Sequence, residues 1–336
     1  FVDRELICLI GMLLVFLVAN ILIKLPVSLS MVAGAIAGAL IAGDGIPLRH
    51  LFEGTFTYID TILIISMAML FMTVINESGA LEALNAAIVT RFYKVPAVML
   101  ILLMFVIMFP GMITGSSTAA VLSAGALVAP LLLMIGIPKD QAGAIIAIGA
   151  IMGMAAPPVN IPAMLIAGGV DMPYIGFEGP LFLITIPCAV FTVLFLGLKH
   201  CKNLNIDELK KNLNMEIGKK YGFRLYIPII FLAVMLIASK MLPTLPQLGT
   251  SLIFLIASVI GCFTGRKFNL WKSALKAIDT TIPVLGKLMG VGMFIQIMTL
   301  SGARGWIVVS CLSAGTMVLY IFICTIMPGF GAVSSY

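Results

Sequence analysis

Two short stretches of this chain combine backbone breakers with oxygen-bearing side chains. The first is Pro110-Gly111-Met112-Ile113-Thr114-Gly115-Ser116-Ser117-Thr118, and the second is Gly153-Met154-Ala155-Ala156-Pro157-Pro158-Val159-Asn160-Ile161-Pro162. In both, glycine and proline interrupt an otherwise apolar run, so carbonyls that a helix would use are freed. Freed carbonyls and hydroxyls are the ligands a hard cation prefers, and a helix restarting after the interruption aims its N–H groups at an anion. On this reading Gly115 and Ser116, with Ala156, Pro157, Pro158 and Val159, are candidate cation-binding positions. Ser116, Ser117, Thr118 and Asn160 are candidate contacts for an anionic substrate. A third stretch, Pro328 to Tyr336, repeats the spacing of the first and adds Ser334 and Ser335 to the substrate-contact candidates.

Other chemistry-bearing residues point nowhere else. His50 and His200 lie near span ends, where a histidine is expected to be solvated. The six cysteines show no C-x-x-C spacing and are expected to pack without disulfides or metal. Asp60 and Asp279 are expected to cap equivalent helix starts, Lys287 to snorkel, and Arg304 to anchor at an interface. With no constellation of His, Asp or Cys, an intramembrane enzyme is disfavoured, as is a channel, since no ring of charges is visible. No organic cofactor is expected.

The elements that must carry these stretches are membrane spans. The 336 residues are 61% hydrophobic and only 10% charged, with a mean hydropathy of +1.18, far from the roughly 25% charge of a soluble domain. Apolar helices are expected at about Glu5 to Ile23, Val27 to Ala42, Thr61 to Ile75, Gln141 to Ala167, Leu181 to Leu198, Leu225 to Met241, Ser251 to Phe263 and Ile282 to Thr299. Val95 to Ile137 is expected to enter and leave on one side as a re-entrant hairpin with Ser116 and Ser117 at its tip, because non-helical backbone at membrane depth survives only when buried in protein or lining a cavity. Trp306 to the end should form a second hairpin. The net charge of +6 is spread over loops, which fits cytoplasmic positive charge and not nucleic-acid binding. Lys199 to Arg224 holds seven basic residues against three acids and an apolar stripe of Ile206, Leu209, Leu213 and Ile217. It is expected to be a cytoplasmic linker with a helix on the membrane surface, and Asp171 to Glu178 is expected outside. The chain is expected to continue beyond Tyr336.

An internal repeat organises the spans. Leu25-Pro26 recurs as Leu245-Pro246, Ile59-Asp60-Thr61 as Ile278-Asp279-Thr280, Ser78-Gly79-Ala80 as Ser301-Gly302-Ala303, and Pro110-Gly111 with Ser116-Ser117 as Pro328-Gly329 with Ser334-Ser335, at offsets between 218 and 223 residues. An odd number of crossings between the copies would invert the second. This gives residues 1–198 as a first inverted repeat, 199–224 as an amphipathic linker and 225–336 as a second repeat. Inverted repeats with discontinuous helices at their interface are the pattern of secondary transporters.

At Gly115-Ser116-Ser117, at Ile151 to Pro158 with its double proline, and at the repeated Ser334-Ser335, the sequence resembles the large membrane subunit of TRAP (tripartite ATP-independent periplasmic) transporters, in the wider ion-transporter superfamily. The resemblance covers nearly the whole chain. It implies an all-α integral membrane protein of inverted-repeat elevator type, with re-entrant hairpins and broken helices. It also implies sodium-coupled import of a small organic anion such as a dicarboxylate or sugar acid. The implied partners are a small membrane subunit and a soluble substrate-binding protein, and the implied location is the bacterial inner membrane. Ala120 stands where the family often has an acidic residue, and Val159 where it has Ser or Thr. Pro157-Pro158-Asn160 is also similar to the Pro-Pro-Asn of divalent anion/sodium symporters, which implies a stand-alone symporter as the alternative.

Overall fold

The computed structural model describes residues 3–169, 172, 176–203, 215–241 and 248–334. Among them every regular element is a helix. Among the described residues seven helices are long and apolar enough to cross a bilayer, so the chain is an all-α, multi-pass membrane protein. Several hydroxyls in these helices follow the rule for a solvent without hydrogen-bonding partners. Ser66, Thr73, Thr185, Thr192 and Ser258 each donate to the carbonyl four residues back, at 2.7–2.9 Å, so none of these five O–H groups needs a partner outside its own helix.

The chain packs as two compact units. One comprises Phe1–Ile59 and Pro283–Tyr336. In it α1 (Arg4–Leu17) runs against α2 (Val27–Ala42), where small residues let the backbones approach: a Cβ on Gly34 would lie 2.8 Å from the Met12 carbonyl oxygen. The short α3 (Leu48–Thr55) follows, and was not expected from the sequence. The other unit is Asp60–Ile282, built on α4 (Ile59–Ser78), α5 (Ala80–Phe92), α6 (Pro96–Thr114), α7 (Ser117–Ala120) and α8 (Ala126–Met134). It continues with α9 (Lys139–Ala155), α10 (Ile161–Gly169), α11 (Glu178–Gly197), α12 (Met215–Tyr221), α13 (Ile227–Met241) and α14 (Thr250–Thr264). Its core joins Phe71 of α4, Met104 and Met108 of α6, Ile145 of α9 and Phe254 of α14, all buried.

The long α15 (Leu270–Leu300) contributes its first part to the second unit and its remainder to the first. It begins twelve residues before the expected Ile282, and this corrects the role given to Asp279. That residue lies well inside α15 and exposed, so it caps no helix start, whereas Asp60 does sit in the first turn of α4. In the first unit α16 (Ala303–Ser313) and α17 (Thr316–Ser334) meet at a bend of 118°. Helix α17 continues through Pro328-Gly329 as far as Ser334, so the chain is not interrupted at that Pro-Gly pair. Nothing further is described of the Ser334 side chain, and Ser335 lies outside the described residues.

The linker is described only at its ends, as residues 199–203 and 215–224. Ile206, Leu209 and Leu213 lie outside the described residues, but Ile217 is buried and lies close to Gly79 at the start of α5. Helix α12 therefore packs part of its apolar stripe against the start of α5. His200 is likewise not simply solvated: its Nε2 is 2.9 Å from Gln141 Oε1.

Candidate functional site

The hairpin is built by a strong helix with a hard stop. Helix α6 starts with Pro96 at its first position, where a missing N–H costs nothing, and continues through Pro110-Gly111 without breaking. The stop is Gly115, in the left-handed region at φ +64°. Its N–H donates to the Gly111 carbonyl at 2.7 Å, closing the helix as a left-handed cap does. Ser116 is then extended, and its Oγ accepts the Ala119 N–H at 3.3 Å as the N-cap of α7. Thr114, fully buried, ties the corner: its hydroxyl donates to the Pro110 carbonyl at 2.7 Å and accepts the Ser116 N–H at 3.3 Å. From Ser117 the chain returns through α7, a π-turn at Val121–Gly125 and α8. Both ends come back to the same place, since a Cβ on Gly197 would lie 3.0 Å from Leu100 and 3.4 Å from Ile137.

Helix α9 lies beside α6 and runs the same way. Gly149 meets Met104 and Ile107, Gly153 meets the Met108 backbone, and Gly111 meets the Met154 backbone. The pair Gly149 and Gly153, four residues apart, is the small-xxx-small signature of close membrane-helix packing, a signal the sequence carries. The shared direction brings the end of α6 and the end of α9 to one level. There α9 unwinds at Ala156, and α10 restarts at Ile161. Asn160, 5% exposed, fastens the gap from both sides: Nδ2 donates to the Ala155 carbonyl at 2.7 Å, and Oδ1 accepts the Ala163 N–H at 2.9 Å.

The two predicted stretches are in direct contact. The Val159 N–H donates to the Met112 carbonyl at 3.1 Å, and Gly115 packs against Ile161, whose N would lie 3.3 Å from a Cβ at that glycine. Ala156, Pro157, Val159 and Gly115 are buried, Ser116, Ser117 and Pro158 are half-buried, and Thr118 is exposed. The carbonyls of Gly115, Ala156, Pro157 and Pro158 accept no hydrogen bond among the described residues. The hydroxyls of Ser117 and Thr118 make none either. So the arrangement offers neutral oxygens beside two helix starts, at Ser117 and Ile161, with no charged side chain in either stretch. Met112 and Ile161 were not among the expected site residues, since contacts made through a main-chain carbonyl and an apolar side chain carry no polar signature.

The family described as Tripartite ATP-independent periplasmic transporter, DctM component, matches residues 13–332. The chain belongs to this family. A search of curated proteins returned no match. DctM members are the large membrane component of TRAP transporters, systems that also contain a small membrane subunit and a substrate-binding protein. In this DctM chain the helix break at Gly115 and the unwound segment from Ala156 to Asn160 face each other within one compact unit.

Proposed function

We propose that this DctM chain carries out sodium-coupled import of a small organic anion, such as a dicarboxylate or a sugar acid, at the meeting point of the hairpin tip and the unwound segment. The observation that carries the reading is the contact of Val159 N–H with the Met112 carbonyl. It holds two helix breaks together while the carbonyls of Gly115, Ala156, Pro157 and Pro158 stay free of hydrogen bonds among the described residues. Such carbonyls suit a hard cation. The helix starts at Ser117 and Ile161 suit a carboxylate beside it, and binding of each then strengthens the other. Movement of the hairpin and broken helices as one body, the elevator mechanism, would carry ion and anion together. A small membrane subunit and a soluble binding protein would complete the system in a bacterial inner membrane.

The test is uptake of radiolabelled organic acids into proteoliposomes holding the chain with its small membrane subunit, with and without a binding protein, across a sodium titration. Uptake should rise with sodium, and Ser116→Ala should shift that dependence to higher sodium. Sodium-independent uptake in the parent would refute the coupling. Full uptake without the binding protein would favour a stand-alone symporter.

A further inference from the structure

Several helix ends meet at one corner of the unit Asp60–Ile282. The Arg266 N–H, just past α14, donates to the Ser78 carbonyl at the end of α4 at 3.1 Å. Lys276, in the second turn of α15, pairs with Glu77 at 3.1 Å. Ile217 of α12 lies against Gly79, and Pro228 in the first turn of α13 lies against Gly261 near the end of α14. Glu77 and Glu82 each answer one base, Lys276 and Arg266. Five more bases are carried by the same elements: Lys219 and Lys220 on α12, Arg224 in the turn after it, Lys267 before α15 and Lys272 in its first turn. All five are exposed, and none is in an ion pair among the described residues. The acids on these elements are Glu216 and Asp279.

Exposed aromatic rings are set among these bases. Phe223 adjoins Arg224 in the chain, Phe263 is in the last turn of α14, and Trp271, 73% exposed, adjoins Lys272. The first turns of α15 explain why a tryptophan is outside. Ser273, Ala277 and Thr281, four residues apart, are buried against the protein, so Trp271, Leu275 and Ile278 are turned away from it and exposed. Both α4 and α15 are long and apolar enough to span, so their ends here lie at a bilayer surface, the level where tryptophan rings settle.

We propose that this corner seats on anionic phospholipid headgroups, with Trp271 and Phe223 entering the headgroup region and the five bases facing phosphates. Charge selects the occupant, because a cluster of about four to eight bases beside a span is the pattern that attracts anionic lipid. A nucleic acid or acidic peptide would meet the bases but leave the rings in water. An apolar partner helix would cover the rings but leave the bases without counter-charge.

Trp271 is itself the reporter, as one of two tryptophans in the chain. The full chain carrying Trp306→Phe is reconstituted in mixtures of phosphatidylcholine and phosphatidylglycerol, one or the other brominated, and quenching of Trp271 gives the relative affinity of the lipids around it. Phosphatidylglycerol should be preferred about five-fold, the worth of one base near an anionic headgroup. In about 1 M salt, where the screening length is about 3 Å, the preference should fall toward unity. Lys219→Gln, Lys220→Gln, Arg224→Gln, Lys267→Gln and Lys272→Gln in one chain should do the same at low salt, with quenching by brominated phosphatidylcholine retained. The converse variant, Trp271→Phe, reads Trp306, whose indole N–H donates to Asp3, and should show no preference. Absence of quenching of Trp271 by either lipid, equal affinity for the two, a preference that survives salt or the five substitutions, or the same preference at Trp306 would overturn the proposal. Loss of quenching when the small membrane subunit is co-purified would overturn it in favour of a protein occupant.

Discussion

Gly153→Ala should loosen the seat of the hairpin. A methyl there would collide with the Met108 carbonyl oxygen and lie 2.8 Å from the Met108 Cα, well inside van der Waals contact, so α6 and α9 would have to part. By helix propensity alone alanine should stabilise α9 by about 1 kcal/mol. Against this stand an overpacking cost of about 1–3 kcal/mol and, if the shift reaches the tip, the Val159 to Met112 hydrogen bond, worth about 1 kcal/mol. The net expectation is a loss of about 1–3 kcal/mol. Gly143→Ala supplies the comparison, because Gly143 is in the same helix with nothing within 4 Å of the added carbon. That variant should be unchanged or more stable by up to about 1 kcal/mol. Thermal unfolding of both purified variants, with uptake measured alongside, makes the contrast. Equal melting temperatures for the two would refute the claim that backbone approach at Gly153 holds the hairpin in place.

Asn160→Ala removes both the cap on α10 and the bond to Ala155 and should cost about 2 kcal/mol, while Asn160→Asp keeps the cap acceptor but loses the donor and should fall between; thermal unfolding ranks the three proteins. Arg266→Ala removes the side-chain bond to the Glu77 carbonyl at 3.3 Å and the pair with Glu82 at 3.4 Å, but keeps the main-chain bond to Ser78. With the guanidinium 42% exposed the loss should be about 0.5–1 kcal/mol and should shrink in high salt, as a melting series across ionic strength would show.

Membrane character, most of the spans, the hairpin and the unwound second stretch were legible because each rests on long apolar runs or on clustered breakers. What was not legible has physical reasons. Helix α5 carries Glu82, Asn85, Thr90 and Arg91 in 13 residues, too short and polar to register as a span, although it packs into the core of its unit. The start of α15 was hidden by Lys272, Lys276 and Asp279, which lie exposed on its first turns. Pro110 marked the hairpin's interruption a few residues early. A proline inside a helix loses one bond but does not reverse the chain, whereas Gly115 at φ +64° does. Asn160 was expected to present its amide to a ligand, and its bonds to Ala155 and Ala163, which pin the unwound segment, carry no signature in the sequence.

The bond between Val159 and Met112 is made by two main chains, so the identity of either side chain is free to drift while the bond persists. Alanine scanning would pass over this contact, because alanine at 112 or 159 still offers the same carbonyl and the same N–H. A valine can therefore stand after the double proline with the hairpin still pinned. Only an edit of the backbone itself reads the bond: proline at position 159, or an amide-to-ester replacement there, deletes the donor and should release the tip that every alanine variant leaves in place.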